Sequence, residues 1–113
     1  VKRRVVVLTL STVVGLAVLA GCGSDGPATP DDPTLARGQE VYNASCATCH
    51  GVDGGGGFGR KLAGEVEANF PDIEDQIAVV ADGRDGTNMP AFRDRLSDED
   101  IEAVVRYTRE TLG

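Results

Sequence analysis

The sequence predicts a small all-α domain of three to four helices, and three observations predict it. Apolar residues recur at helical spacing in three stretches, around Val41, Ile77 and Val104. Helix start and stop signals bound those stretches: Pro71 and Gly83 around the second, Ser97 before the third. No stretch shows the apolar–polar alternation of a half-buried strand, and no segment repeats. With 113 residues, there is room for one domain.

The first residues read as address rather than fold. Lys2, Arg3 and Arg4 precede an uncharged run of 16 residues from Val5 to Ala20. A basic start, an apolar middle and small residues at the end describe an export signal. The rival is a retained membrane span, for which about 17–25 apolar residues are usual. Leu19-Ala20-Gly21-Cys22 resembles the lipobox of bacterial lipoproteins. That resemblance implies a signal over 1–21, lipid on Cys22, and attachment to the outer, periplasmic side of the cell membrane. More than one acyl chain anchors durably where one holds only marginally.

From Cys22 onward, eight basic residues face 18 acidic ones, a net charge of −10. Such a surface repels nucleic acid and anionic lipid and attracts basic partners. Residues 22–33 are small, acidic and Pro-rich, the composition of a flexible tether. The domain proper is expected over 34–113.

Within it, the first helix is expected from Thr34 to Cys49, with Gly38 and Tyr42 on one face. The glycine-rich stretch Gly51–Gly59 then forms an irregular loop. It is no phosphate cradle, because the preceding strand and the following Lys-Ser/Thr are missing. A second helix is expected over Asp72–Ala81, carrying the stripe Ile73, Ile77 and Val80. The last starts at Ser97, an N-cap, with Asp98, Glu99 and Asp100 on the positive end of its dipole. Glu65, Glu67, Asp72, Glu74 and Asp75 read as a solvated face. Three Phe, two Tyr and no Trp make a thin core for such a chain. Domains of this size often need a staple, and a large flat cofactor would fill the centre.

The chemistry lies in Cys46-Ala47-Thr48-Cys49-His50, which matches the c-type haem attachment motif. On a helical turn, i, i+3 and i+4 share a face. Both thiols then reach one side of a porphyrin, and the imidazole follows toward its iron. His50 is the only histidine. Two rivals stand beside haem. A structural zinc site wants four Cys or His ligands, and a redox dithiol wants a strand-rich α/β unit.

Residues 35–113 resemble a small bacterial class I cytochrome c. Gly38-x3-Tyr42-x3-Cys46 is close to that family's glycine, aromatic and CxxCH spacing. SDEDIEAVVRYTRETL resembles its closing helix, with Tyr107 against the first helix near Gly38. Asn88-Met89-Pro90-Ala91-Phe92 resembles its distal-ligand loop. The resemblance implies a small cytochrome c-like fold wrapped around one covalent haem c, attached at Cys46 and Cys49. It implies His50 and Met89 as the axial iron ligands; Met/His ligation raises the reduction potential. An ordinary core methionine is the commoner reading of such a residue. One departure stands out. The family's Gly-Pro-x-Leu, whose proline carbonyl receives the proximal ring N–H, is here Gly59-Arg60-Lys61-Leu62. A backbone carbonyl still accepts, but the loop loses proline's stiffness. Arg60 or Lys61 is either a partner for a haem propionate or a solvated surface charge.

The resemblance implies an extracytoplasmic electron carrier, not an enzyme, with no small-molecule substrate. Its partners would be redox proteins with basic docking patches, such as a quinol–cytochrome c reductase, a terminal oxidase or a dehydrogenase. Two alternatives stay open: a haem subunit of a larger dehydrogenase or reductase, and a small haem enzyme or gas sensor with an open sixth site.

Overall fold

The structure, a computed structural model, describes residues 26–112. The expected export signal over 1–21, the expected lipid site Cys22 and the first residues of the expected tether lie outside the described residues. Those described form five helices and no strand. No helix among them is long and apolar enough to cross a membrane.

Helix α1 spans Pro33–Ser45. Asp32 caps it, its carboxylate accepting from the amides of Thr34 at 2.8 Å and Leu35 at 3.0 Å, and Pro33 sits in the first turn. The helix expected to run to Cys49 instead breaks at Cys46, and α2 covers Ala47–His50. The cause is local. The Cys46 carbonyl accepts from Cys49 N at 3.1 Å and from His50 N at 3.0 Å, which tightens the turn carrying the motif. Before α1, Pro27 and Ala28 lie against the helix: the buried Gln39 amide donates to their carbonyls at 2.8 and 3.2 Å.

A short α3, Val66–Asn69, was not expected, and only Val66 in it is buried. Helix α4 spans Ile73–Asp82, capped by Asp72 and stopped at Gly83. Its expected apolar stripe is only part of what packs inward. Ile73, Ile77 and Val80 are half-buried, while Gln76 and Ala81 are buried. Gln76 donates to Thr108 Oγ1 at 2.8 Å and accepts from Arg109 at 3.1 Å, so its polar end is satisfied inside. Helix α5, Asp98–Glu110, starts as expected, with Ser97 Oγ accepting from Asp100 N at 3.1 Å.

The two 13-residue helices, α1 and α5, cross in direct contact. The crossing is at Gly38, whose missing side chain lets the Ala103 carbonyl and Tyr107 approach. Val41, Tyr42, Ala47, Val104, Tyr107 and Leu112 form the core beside it, and Cys46 and Leu62 pack against this cluster. The rings of Tyr42 and Tyr107 meet at 5.5 Å and 51°, a tilted pair of the favoured kind. The core therefore sits under the Cys-x-x-Cys-His turn and fixes where it points.

Candidate functional site

Cys46, Cys49 and His50 share one turn. Cys46 is half-buried against the core and Cys49 is exposed; neither is in a disulfide. Burial pushes the Cys46 thiol up to about 11, with Cys49 beside it adding to the shift. The turn is closed from above by Tyr42, whose hydroxyl donates to the Gly51 carbonyl at 2.6 Å.

The glycine-rich loop folds back over the same turn. Gly59 N donates to the Cys49 carbonyl at 2.8 Å, and Gly56 N to the His50 carbonyl at 2.7 Å. A Cβ on Gly59 would stand 2.8 Å from both Cε1 and Nδ1 of His50, so only glycine leaves space for this ring. His50 Nδ1 lies 2.8 Å from the Arg60 carbonyl oxygen. A carbonyl can only accept, so Nδ1 carries the proton and Nε2 keeps its lone pair for a metal. Arg60 thus does supply the acceptor that proline would. Its guanidinium goes elsewhere, to Asn69 Oδ1 at 3.1 Å, and Lys61 lies 3.9 Å from Glu65.

Met89 sits apart from this turn, on the loop between α4 and α5, and is half-buried. Its carbonyl accepts from Arg84 N at 3.1 Å and its amide donates to Thr87 Oγ1 at 3.2 Å. Downstream, Phe92 N donates to the carbonyls of Val80 and Ala81, pinning the loop to the end of α4. The structure thus brings three of the expected residues together and holds the fourth on a separate, anchored loop. Sequence reasoning missed Asn69, a polar surface residue whose only signal is its partner Arg60.

The residues fit a haem. Two unpaired thiols and an imidazole with a free Nε2 project from one turn, and Gly59 makes room for the ring. Among the described residues, no group of three or more His, Cys, Asp or Glu is arranged to hold a metal ion by protein ligands alone. The dithiol reading lacks its α/β frame, since no strand is present among those residues.

Comparison with known proteins agrees. The family described as "Cytochrome C oxidase, cbb3-type, subunit III" matches residues 33–107. Cytochrome c55X of Paracoccus denitrificans (strain Pd 1222) is 33% identical over 96 residues, covering 85% of this chain and 90% of that protein. Cytochrome c6 of Leptolyngbya boryana is 41% identical over 75 residues, covering 64% of this chain and 86% of its own. The solved structure of the c-type cytochrome NirC superposes with a TM-score of 0.59 at 29% identity, over 74% of this chain and 99% of that one. An all-α fold with a Cys-x-x-Cys-His turn on its core defines a small haem protein. The chain belongs to the c-type cytochrome family, whose cofactor is one covalently bound haem c.

Proposed function

We propose that this chain is an electron carrier working outside the cytoplasm, with haem joined to Cys46 and Cys49 and ligated by His50 and Met89. The observation that carries the reading is the His50–Arg60 contact at 2.8 Å, which fixes the tautomer a metal ligand needs in the turn that presents both thiols. Haem, when bound, supplies one-electron redox chemistry. The chain's residues hold it. Cys46 and Cys49 fix it covalently, His50 presents Nε2, and Met89 offers a thioether from a loop stiffened by Pro90. Were His50 and Met89 both to ligate a bound haem, no open site would be left for a substrate, which favours a carrier over an enzyme.

The same reading divides the chain into a lipoprotein signal over 1–21, a lipidated Cys22 with a tether to 33, and the cytochrome domain over 34–113. The lipobox resemblance supports it, and supports a location on the outer face of a membrane. The net charge of −10 from Cys22 onward favours redox partners with basic patches, and electron-transfer rates that fall as salt is added. A second reading, that the chain serves as a subunit of a larger oxidase, is favoured by the description of its family. Co-purification with a catalytic partner tests it.

Absorption spectra of the haem-loaded protein, wild type and Met89→Ala, test the main reading. The expected result is a c-type spectrum with a sulfur–iron(III) charge-transfer band that the variant loses. A c-type spectrum without the band in the wild type would point to an open-site enzyme or sensor. Absence of covalent haem, in a host able to attach it, would overturn the assignment of Cys46 and Cys49.

A further inference from the structure

We infer that Arg60 and Asn69 are positioning residues that brace the proximal imidazole from α3, an inference resting on the reading of His50 as an iron ligand. The carbonyl that receives the His50 ring proton belongs to a residue with no ring of its own to fix its backbone. Something else has to hold that carbonyl in line. The structure supplies a chain of contacts. The Arg60 guanidinium donates to Asn69 Oδ1 at 3.1 Å, and Asn69 Nδ2 donates to the Glu65 carbonyl at 2.6 Å. Asn69 ends α3, which is seated by the buried Val66 and tied to α5 through Arg109, whose guanidinium donates to the Phe70 carbonyl at 2.9 Å. On the other side, Gly59 N is bonded to the Cys49 carbonyl at 2.8 Å. Arg60 is therefore clamped by its neighbour's backbone and by its own side chain. The clamp takes the place of a stiff residue.

The consequence falls on the ring. A carbonyl held in line keeps the Nδ1–H···O hydrogen bond short, which fixes the ring orientation and makes Nε2 a stronger donor. Stronger donation favours the oxidised iron and holds the midpoint potential down. Releasing the side-chain end of the clamp weakens that bond.

The test uses the haem-loaded protein as wild type, Asn69→Ala, Arg60→Pro and the double variant. Two quantities are measured: hydrogen exchange at His50 Nδ1 in the reduced protein by NMR, and the midpoint potential. Asn69→Ala is expected to speed exchange about two- to tenfold, the equivalent of one ordinary hydrogen bond, and to raise the potential. Arg60→Pro is expected to exchange as the wild type does. Its backbone N–H donates no hydrogen bond among the described residues, so proline loses none there. In the Arg60→Pro background, Asn69→Ala is expected to change neither quantity, because the ring has replaced the clamp. Wild-type exchange and potential in Asn69→Ala would overturn the brace, as would an undiminished Asn69→Ala effect in the proline background. Wild-type His50 ring signals without the large upfield shift of an axial ligand would overturn the ligand reading itself, and the brace with it.

Discussion

A Cβ placed on Gly38 would stand 2.1 Å from the carbonyl oxygen of Ala103, so α1 and α5 touch backbone to backbone at that point. No rotamer relieves such a contact, because the obstructing atom is main chain. Gly38→Ala must push the helices apart and loosen the Tyr42–Tyr107 pair four residues on. The expected cost is about 3 kcal/mol, the upper range for overpacking a filled core. Urea denaturation of the haem-loaded protein measures it, and a loss under about 1 kcal/mol would mean that the crossing yields more easily than its geometry implies.

That crossing was legible because its parts lie in short motifs: Gly38, Tyr42 and Cys46 at fixed spacing, and Tyr107 in an amphipathic helix with a clear cap. The break at Cys46 was not. Residues on both sides suit a helix, and it is the doubly accepting Cys46 carbonyl that tightens the turn. Nor was the inner face of α4, because Gln76 is buried only by virtue of Thr108 and Arg109, 32 and 33 residues away. The grouping of Cys46, Cys49 and His50 on one turn was readable since they fall within five consecutive positions. The Arg60–Asn69 contact was unreadable, because either residue alone is ordinary polar surface.

Tyr42 links the core to the motif through its 2.6 Å bond to the Gly51 carbonyl, and burial holds its phenol well above the usual tyrosine range. A phenol whose folded pKa exceeds its unfolded value of about 10 stabilises the fold fully below that pH. The contribution is lost as pH rises from there through the folded pKa. Tyr42→Phe is expected to cost about 1 kcal/mol at neutral pH. It should also flatten the decline in stability above about pH 10. Denaturation midpoints from neutral to alkaline pH check both, and an unchanged alkaline limb would count against the linkage.

Arg37 grips Asp100 with two bonds, Nε to Oδ1 at 2.7 Å and a terminal nitrogen to Oδ2 at 2.9 Å, tying the N-terminal halves of α1 and α5 together. The guanidinium holds the Asp100 carboxyl below the usual carboxylate range. A depressed folded pKa contributes stability above the unfolded value of about 3.9, lost as pH falls through the folded one. Asp100→Asn is therefore expected to lower stability near neutrality and to shrink the difference between neutral and acid pH. Midpoints followed down to about pH 2 measure it, and parallel curves for the two proteins would remove the pair from the acid response.

Phe92 is the anchor of the Met89 loop. It is buried, its amide donates to the Val80 and Ala81 carbonyls, and Arg95 covers its ring with the guanidinium carbon 4.5 Å from the centroid. Three residues upstream, the Met89 backbone is hydrogen-bonded, among the described residues, to Arg84 N and Thr87 Oγ1 alone. Losing the flat ring should therefore free the loop before it unfolds the domain. Phe92→Leu keeps an apolar side chain and is expected to cost only about 1 kcal/mol overall. On the proposed ligation by Met89, the sulfur–iron band, by contrast, should fade on warming well before the helices melt, whereas in the wild type the two losses should coincide. Absorbance and circular dichroism recorded on the same heated sample separate them. A band that survives to the global transition in Phe92→Leu would show that Pro90 and the Thr87 contact hold Met89 without the aromatic anchor.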